Sequence, residues 1–285
     1  MMWGLTRGGG GCTFLVSGTP KWKFPINNLL EFKDARRVLV EGNLFDHSLV
    51  AYAVLCTVRA EDKKVPWAVV EDIIFRYNLI RHVGGGIDVL GNDDGSNGMG
   101  STQRIAIENN VFEDVDGKKW DGSGWCVLMV RGATNVSIDH NTALTAGAVV
   151  FGDSAQPPAS GFVFTNNIAT NGIYGSGQAG GTGTLDYYFP GATVAKNAFV
   201  AAKASAYPPG NFFPANLNAV RFVDLASGDY RLELNSVYRG KGTDGKNLGA
   251  DVERLEQLAG AALSGTARLL RPRSTNGPEP YGPIR

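Results

Sequence analysis

Residues 105–112 read IAIENNVF, and this stretch decides the fold. Ile105 and Ile107 alternate with Ala106 and Glu108, so the period is two, the signature of a strand with one buried face. Asn109 and Asn110 interrupt the run, and Val111 and Phe112 resume it. The same figure recurs six times, anchored on Asn43, Asn78, Asn110, Asn141, Asn167 and Asn197, at spacings of 35, 32, 31, 26 and 30 residues. Five residues before the anchors stand Val38, Ile73, Ile105, Val136, Phe162 and Ala192. Three before stand Val40, Phe75, Ile107, Ile138, Phe164 and Val194, and two after stand Phe45, Ile80, Phe112, Ala143, Ala169 and Phe199. All eighteen positions are apolar. The polar pair and the anchor Asn are expected to form a sharp corner, where Asn tolerates unusual backbone angles and bonds its own neighbours, with Gly42, Tyr77, Asn109, His140 and Asn166 in the corner column.

A third apolar run follows the corner in most copies, at 52–55, 87–90, 127–130 and 148–151, with a shorter one at 173–174. Three short strands per repeat of about 30 residues describe one coil of a parallel β-helix, with coils stacked about 4.8 Å apart. The predicted fold is all-β: a single-stranded right-handed parallel β-helix, or solenoid, of about six coils with a C-terminal cap. A β-sandwich gives no reason for Asn anchors at near-constant spacing.

The chain has 285 residues, enough for a sizeable core, and a net charge of zero, which points to neither nucleic acid nor a membrane surface as partner. No apolar run approaches the roughly 18 residues of a membrane span. Cys12, Cys56 and Cys126 share no metal spacing and read as small buried hydrophobes. Residues 1–28 are a weakly patterned lead-in, expected to be a truncated N-terminal coil of a longer gene product, since 1–20 contain no basic-then-apolar leader. Residues 29–205 hold the β-helix, 206–258 a capping segment, and 259–285 a flexible tail. Short strands are expected at 219–223 and 230–234, and a short helix at 251–263, with Val252, Leu255, Leu258 and Ala262 on one face.

The stretch VLVEGNLF at 38–45, the Asn109-Asn110 pair, and SIDHN at 137–141 resemble those of bacterial right-handed parallel β-helix proteins of the pectin-lyase-like superfamily. So does the carboxyl end: FVD at 222–224, GDYRL at 228–232 and GAD at 249–251. The resemblance covers residues 22–255. It implies a secreted or cell-surface protein that binds a polysaccharide, and that cleaves it if it is an enzyme, as a polysaccharide lyase or glycoside hydrolase. Because the superfamily also includes non-catalytic members, a surface or adhesion module of a larger multidomain protein is the alternative reading. Neither reading specifies the sugar or the oligomeric state.

Residues at equal offsets from the anchor fall into columns along the axis. Two before it run Glu41, Arg76, Glu108, Asp139 and Thr165, which reads as a surface charge ladder worth about 0–1 kcal/mol per pair. Four after it run His47, His82, Asp114, Thr145 and Asn171. His47, His82 and Asp114 form an alternative polar column that could bind a metal or move protons. His140 reads as a turn residue. The loops after the third strands carry Asp93, Asp94, Arg131 and Asp153, the candidate catalytic group. Asp88 lies outward on the strand before them. Asp93 and Asp94 offer oxygen ligands suited to Ca²⁺, the cofactor expected if there is one. Lys118, Lys119 and Trp120 pair cations with an aromatic platform and, with Asp88, are candidate substrate contacts.

Overall fold

A computed structural model describes residues 6–8, 11–13, 28–49 and 51–269. Apart from an antiparallel pair, Thr6–Gly8 with Gly11–Thr13, most of the lead-in lies outside the described residues, as do residues 270–285. The rest is a right-handed parallel β-helix of six coils bounded by three six-stranded parallel sheets. Sheet I holds the strands before each anchor, from Ala35–Glu41 to Thr193–Ala195. Sheet II holds those after it, from Leu44–Ser48 to Ala198–Val200. Sheet III holds the third strands, in order Leu30–Phe32, Val54–Thr57, Ile87–Leu90, Val127–Val130, Val150–Asp153 and Ile173–Gly175.

The pairing register reproduces the repeat: Val38 faces Ile73, Ile73 faces Ile105, and Ile105 faces Val136. These side chains point inward, where Ile73, Ile105, Phe112, Val136, Phe162 and Phe164 are almost wholly buried. Each such burial is worth about 1.5–3 kcal/mol, so the alternation itself supplies the core. At coils four and five the interior changes content. The inward position filled by Met129 becomes Gly152 and then Gly175. The ring of Tyr188, from helix α2 (Thr182–Tyr188), occupies the vacated space, and a Cβ on Gly152 would stand 2.6 Å from it.

The corner forms at the expected residues, and the anchors Asn43, Asn141, Asn167 and Asn197 bond the carbonyl two residues before them. The left-handed backbone angle falls on the residue before each anchor: Gly42, Tyr77, Asn109, His140, Asn166 and Lys196, with φ from 51° to 68°. The anchor Asn is thereby turned inward and bonds the next coil. In the middle of the stack, the backbone N–H and the side-chain amide of Asn78 both donate to Oδ1 of Asn110, at 2.9 and 3.0 Å. Asn110 donates likewise to Asn141, Asn141 to Asn167, and Asn167 to Asn197. The same side-chain amides reach carbonyls of the preceding coil, as from Asn78 to Val40 and from Asn110 to Phe75. Asn211 supplies a seventh rung, only 14 residues after Asn197. The carboxamide is the side chain that can donate and accept at each rung, so a buried polar column is satisfied without water.

The charge ladder forms on the outside. Arg76 bonds Glu41 at 2.7 Å and lies 3.7 Å from Glu108, while Thr165 donates to Asp139. Cys56 and Cys126 are buried free thiols, and burial pushes both up, Cys56 to about 12.

The carboxyl-terminal segment packs along the outside of sheet II, in the direction opposite to coil progression. The outward column there is Leu44, Leu79, Val111, Thr142, Ile168 and Ala198. Val220, Phe222, Tyr230, Leu232 and Leu248 cover it. Thr142, its one polar member, accepts the N–H of Ala250. Further contacts descend the stack: Gly249 N–H donates to Asn166 O, and Asp251 N–H to Asn109 Oδ1. Leu258 then comes against Gly42 in the first coil. The strands here are Phe222–Asp224 and Asp229–Leu232, and helix α3 runs from Val252 through Leu269, beyond the predicted end of the short helix.

Candidate functional site

Two polar groupings stand out on the solenoid, on different sheets. The first is on the outer face of sheet III. Strand alternation points Ile87 and Val89 inward and Asp88 outward. The outward column through it reads Glu31, Leu55, Asp88, Leu128, Phe151 and Tyr174. Asp88 is therefore a carboxyl set between two leucines. Its Oδ1 is shut off from solvent without a hydrogen-bond partner. Burial pushes its pKa up to about 6, opposed by the charge of Arg59. Above it Trp125 lies flat on Phe151, with ring centroids 3.6 Å apart and planes 6° from parallel. Tyr174 continues the aromatic surface, 42 % exposed. Tyr52, two residues before the strand Val54–Thr57, bonds Ser123 at 3.0 Å. Its hydroxyl is pushed up by burial, against the Ser123 bond, with the charges of Asp88 and Asp153 adding to the rise.

The other residues singled out from the sequence distribute as follows. Asp153 takes an outward position on sheet III, in the column of Leu90 and Val130, and its carboxylate accepts the N–H of Ser154. Asp93 is buried and accepts from Ala60 N–H at 2.7 Å and Ser96 Oγ at 3.0 Å, tying two loops together. Those bonds hold its carboxyl below the usual range although burial, the largest influence, opposes them. The backbone of Asp94 opens the 3-10 turn Asp94–Ser96. Arg131 sits at the exit of sheet III with φ 56°, its carbonyl accepting from Asn92.

The second grouping lies where sheet II ends. His47, His82 and Asp114 form the predicted column, all with left-handed backbone, φ 62°, 53° and 49°. The predicted loop at 114–121 is one turn of helix, α1 (Gly117–Trp120), capped by Asp116. That turn folds back, so Lys119 Nζ bonds Asp114 at 2.6 Å and Trp120 Nε1 donates to Asp114 at 3.0 Å. Trp120 packs on both imidazoles, with centroids 5.2 and 5.3 Å away. Lys118 is exposed.

Asp46 completes this grouping; three after the anchor, it falls in the column Asp46, Arg81, Glu113, Leu144 and Thr170, which reads from sequence as a second surface charge ladder. It is buried, and Oδ1 lies 2.6 Å from His47 Nδ1 and 2.8 Å from His82 Nδ1, while Arg81 donates twice to Oδ2. Burial raises the Asp46 pKa, but the bonds from His82 and Arg81 outweigh it and the carboxyl is held below its ordinary value. A signal existed in the sequence: Asp46-His47 and Arg81-His82 are neighbouring pairs at the same offsets in successive copies. Among the described residues Asp46, His47 and His82 are the group whose ligand atoms lie close enough, within 4.8 Å, to share an ion. Two nitrogens and one oxygen are not the all-oxygen set that Ca²⁺ prefers.

No protein-family model, curated protein or solved structure matches the chain. Among the described residues no helix is long and apolar enough to cross a membrane.

Proposed function

We propose that the chain binds a polysaccharide along the outer face of sheet III, and that Asp88 gives a proton to the glycosidic oxygen as its bond to the anomeric carbon breaks, with water adding to that carbon and its released proton restoring Asp88. The observation that carries this is Asp88 itself: an unpartnered carboxyl, raised to about 6, in a column of leucine and aromatic side chains. A carboxyl in that range is partly protonated near neutral pH, as a general acid must be. The flat pair of Trp125 and Phe151 suits the C–H face of a sugar ring, and a β-helix is compatible with a ligand laid along several coils. A polysaccharide ligand also fits an extracytoplasmic location.

Binding without cleavage is the second reading. Asp153 stands two coils and two residues from Asp88 along the sheet, about 12 Å between α-carbons. A hydrolase needs its carboxyl pair about 5–9.5 Å apart. A panel of acidic and neutral polysaccharides, read by affinity electrophoresis, by new reducing ends and by absorbance of unsaturated uronate, separates binder, hydrolase and lyase. Trp125→Ala is expected to weaken binding at least tenfold with its melting curve kept, and Asp88→Asn to bind but not cleave. Binding undiminished in Trp125→Ala refutes the face, and cleavage undiminished in Asp88→Asn refutes the acid.

A further inference from the structure

We infer that Asp46, His47 and His82 form a binding site for a divalent transition-metal ion of the zinc type. The inference is independent of sheet III, since all three residues belong to sheet II. Both imidazoles present Nδ1 to the same carboxylate oxygen, and the three donor atoms lie within 4.8 Å of one another. An ion at about 2.0–2.2 Å from each donor in tetrahedral geometry sets them about 3.3–3.6 Å apart, so the two Nδ1–Oδ1 gaps must open by roughly 0.5–1 Å from the present 2.6 and 2.8 Å.

The surroundings suit a ligand set. Arg81 holds Oδ2 through Nε and Nη2, at 3.1 and 2.9 Å, which leaves Oδ1 to act as a single-oxygen donor. Such an outer partner fixes the orientation of a metal ligand. Trp120 walls the imidazoles on one side, and its own N–H is occupied by Asp114. Two imidazoles with one carboxylate select zinc, nickel, copper or iron over calcium and magnesium. Three protein donors leave a coordination position for water. Asp46 and His47 belong to the coil of Asn43 and His82 to that of Asn78, so the ion would join successive coils.

The test uses the full chain without a polyhistidine tag, stripped with chelator and titrated with Zn²⁺ in a calorimeter. One equivalent is expected to bind, with a rise in Tm, and with no competition from a large excess of Ca²⁺. Arg81→Ala should weaken binding about 10–100-fold, as loss of an orienting partner does. His82→Ala and Asp46→Asn should weaken it further, and His140→Ala not at all. No saturable binding below millimolar Zn²⁺, or binding unchanged in His82→Ala, overturns the site and leaves a hydrogen-bonded His–Asp–His cluster. If the variants fail to fold, diethyl pyrocarbonate labelling of the wild-type chain decides. Zn²⁺ should protect His47 and His82 together, and equal labelling with and without Zn²⁺ refutes the proposal.

Discussion

Replacing Asn110 by alanine removes a rung from the middle of the asparagine ladder. Four hydrogen bonds disappear: two that Oδ1 accepts from Asn78 and two that Nδ2 donates, to Phe75 O and Asn141 Oδ1. Not all the partners suffer equally. The side-chain amide of Asn78 keeps its bond to Val40 O, and Asn141 Oδ1 keeps the backbone N–H of residue 110. The Asn78 backbone N–H and the Phe75 carbonyl lose the side-chain partner they had, in a buried environment. At about 1–3 kcal/mol for the orphaned Asn78 N–H and about 0.5–1.5 kcal/mol for the bond lost by the Phe75 carbonyl, which keeps its ladder N–H from Glu108, the cost is about 1.5–4.5 kcal/mol. Total stabilities are about 5–15 kcal/mol, so the variant is severely weakened. Asn43 provides the contrast. It only donates from its side chain, to Glu41 O and Asn78 Oδ1, and it is partly exposed. Asn43→Ala should cost about 0.5–1.5 kcal/mol. Urea unfolding of the two variants measures the difference. Hydrogen exchange at the Asn78 amide supplies a local readout that does not depend on two-state behaviour, which stacked repeats do not always obey. An Asn110→Ala variant within 1 kcal/mol of Asn43→Ala, with the Asn78 amide still protected, would refute the ladder as a stabilising element.

Three further outcomes follow from the same geometry. Asp88 has a raised folded pKa, so its charge destabilises the fold above pH about 6 and the penalty vanishes as pH falls through the carboxylate range. Asp88→Asn should therefore be more stable than wild type by about 1–3 kcal/mol at pH 8, with the gap closing by pH 4 in paired urea titrations. Gly42 has φ 68°, and a Cβ there would stand 2.9 Å from Leu258 O, so Gly42→Ala should lift α3 from the first coil. Limited proteolysis should then cut within residues 250–269 well before the wild type is cut. Arg76→Ala breaks a half-exposed ladder contact and should change stability by no more than about 1 kcal/mol in urea. A larger loss would mean that the outer charges do more than their exposure allows.

The coil register was legible because each inward position repeats an apolar residue, and burial leaves little choice there. Equal offsets therefore placed Asp46 beside Arg81, and His47 beside His82. They did not bring Asp46 to His82, a diagonal contact one residue off the ladder register that pairs Asp46 with Arg81. Alternation placed Asp88 outward, but its shifted pKa depends on how closely the leucines on adjoining coils pack around it, and no periodicity carries that. Asn211 escaped because its 14-residue spacing lies far from the period, although the two phenylalanines after it resemble the apolar pair after other anchors. The place of the corner was legible, but not which of its residues bends it. A left-handed residue one step earlier frees the Asn to face inward, so the composition of the corner conceals which residue bends it.

The segment lying against sheet II alters how the solenoid can fold. In a simple stack each coil touches only its neighbours, so the array can zip and fray from either end. Here Ala250, Asp251 and Leu258 touch coils four, three and one, linking residues more than 100 positions apart in sequence. Such distant closures slow folding and make it more cooperative. During synthesis the column Leu44, Leu79, Val111, Ile168 and Ala198 is made long before the residues that cover it. The nascent chain thus carries a bare apolar flank until residues 220–259 leave the ribosome, which makes the unfinished solenoid the species most exposed to aggregation and to chaperone capture.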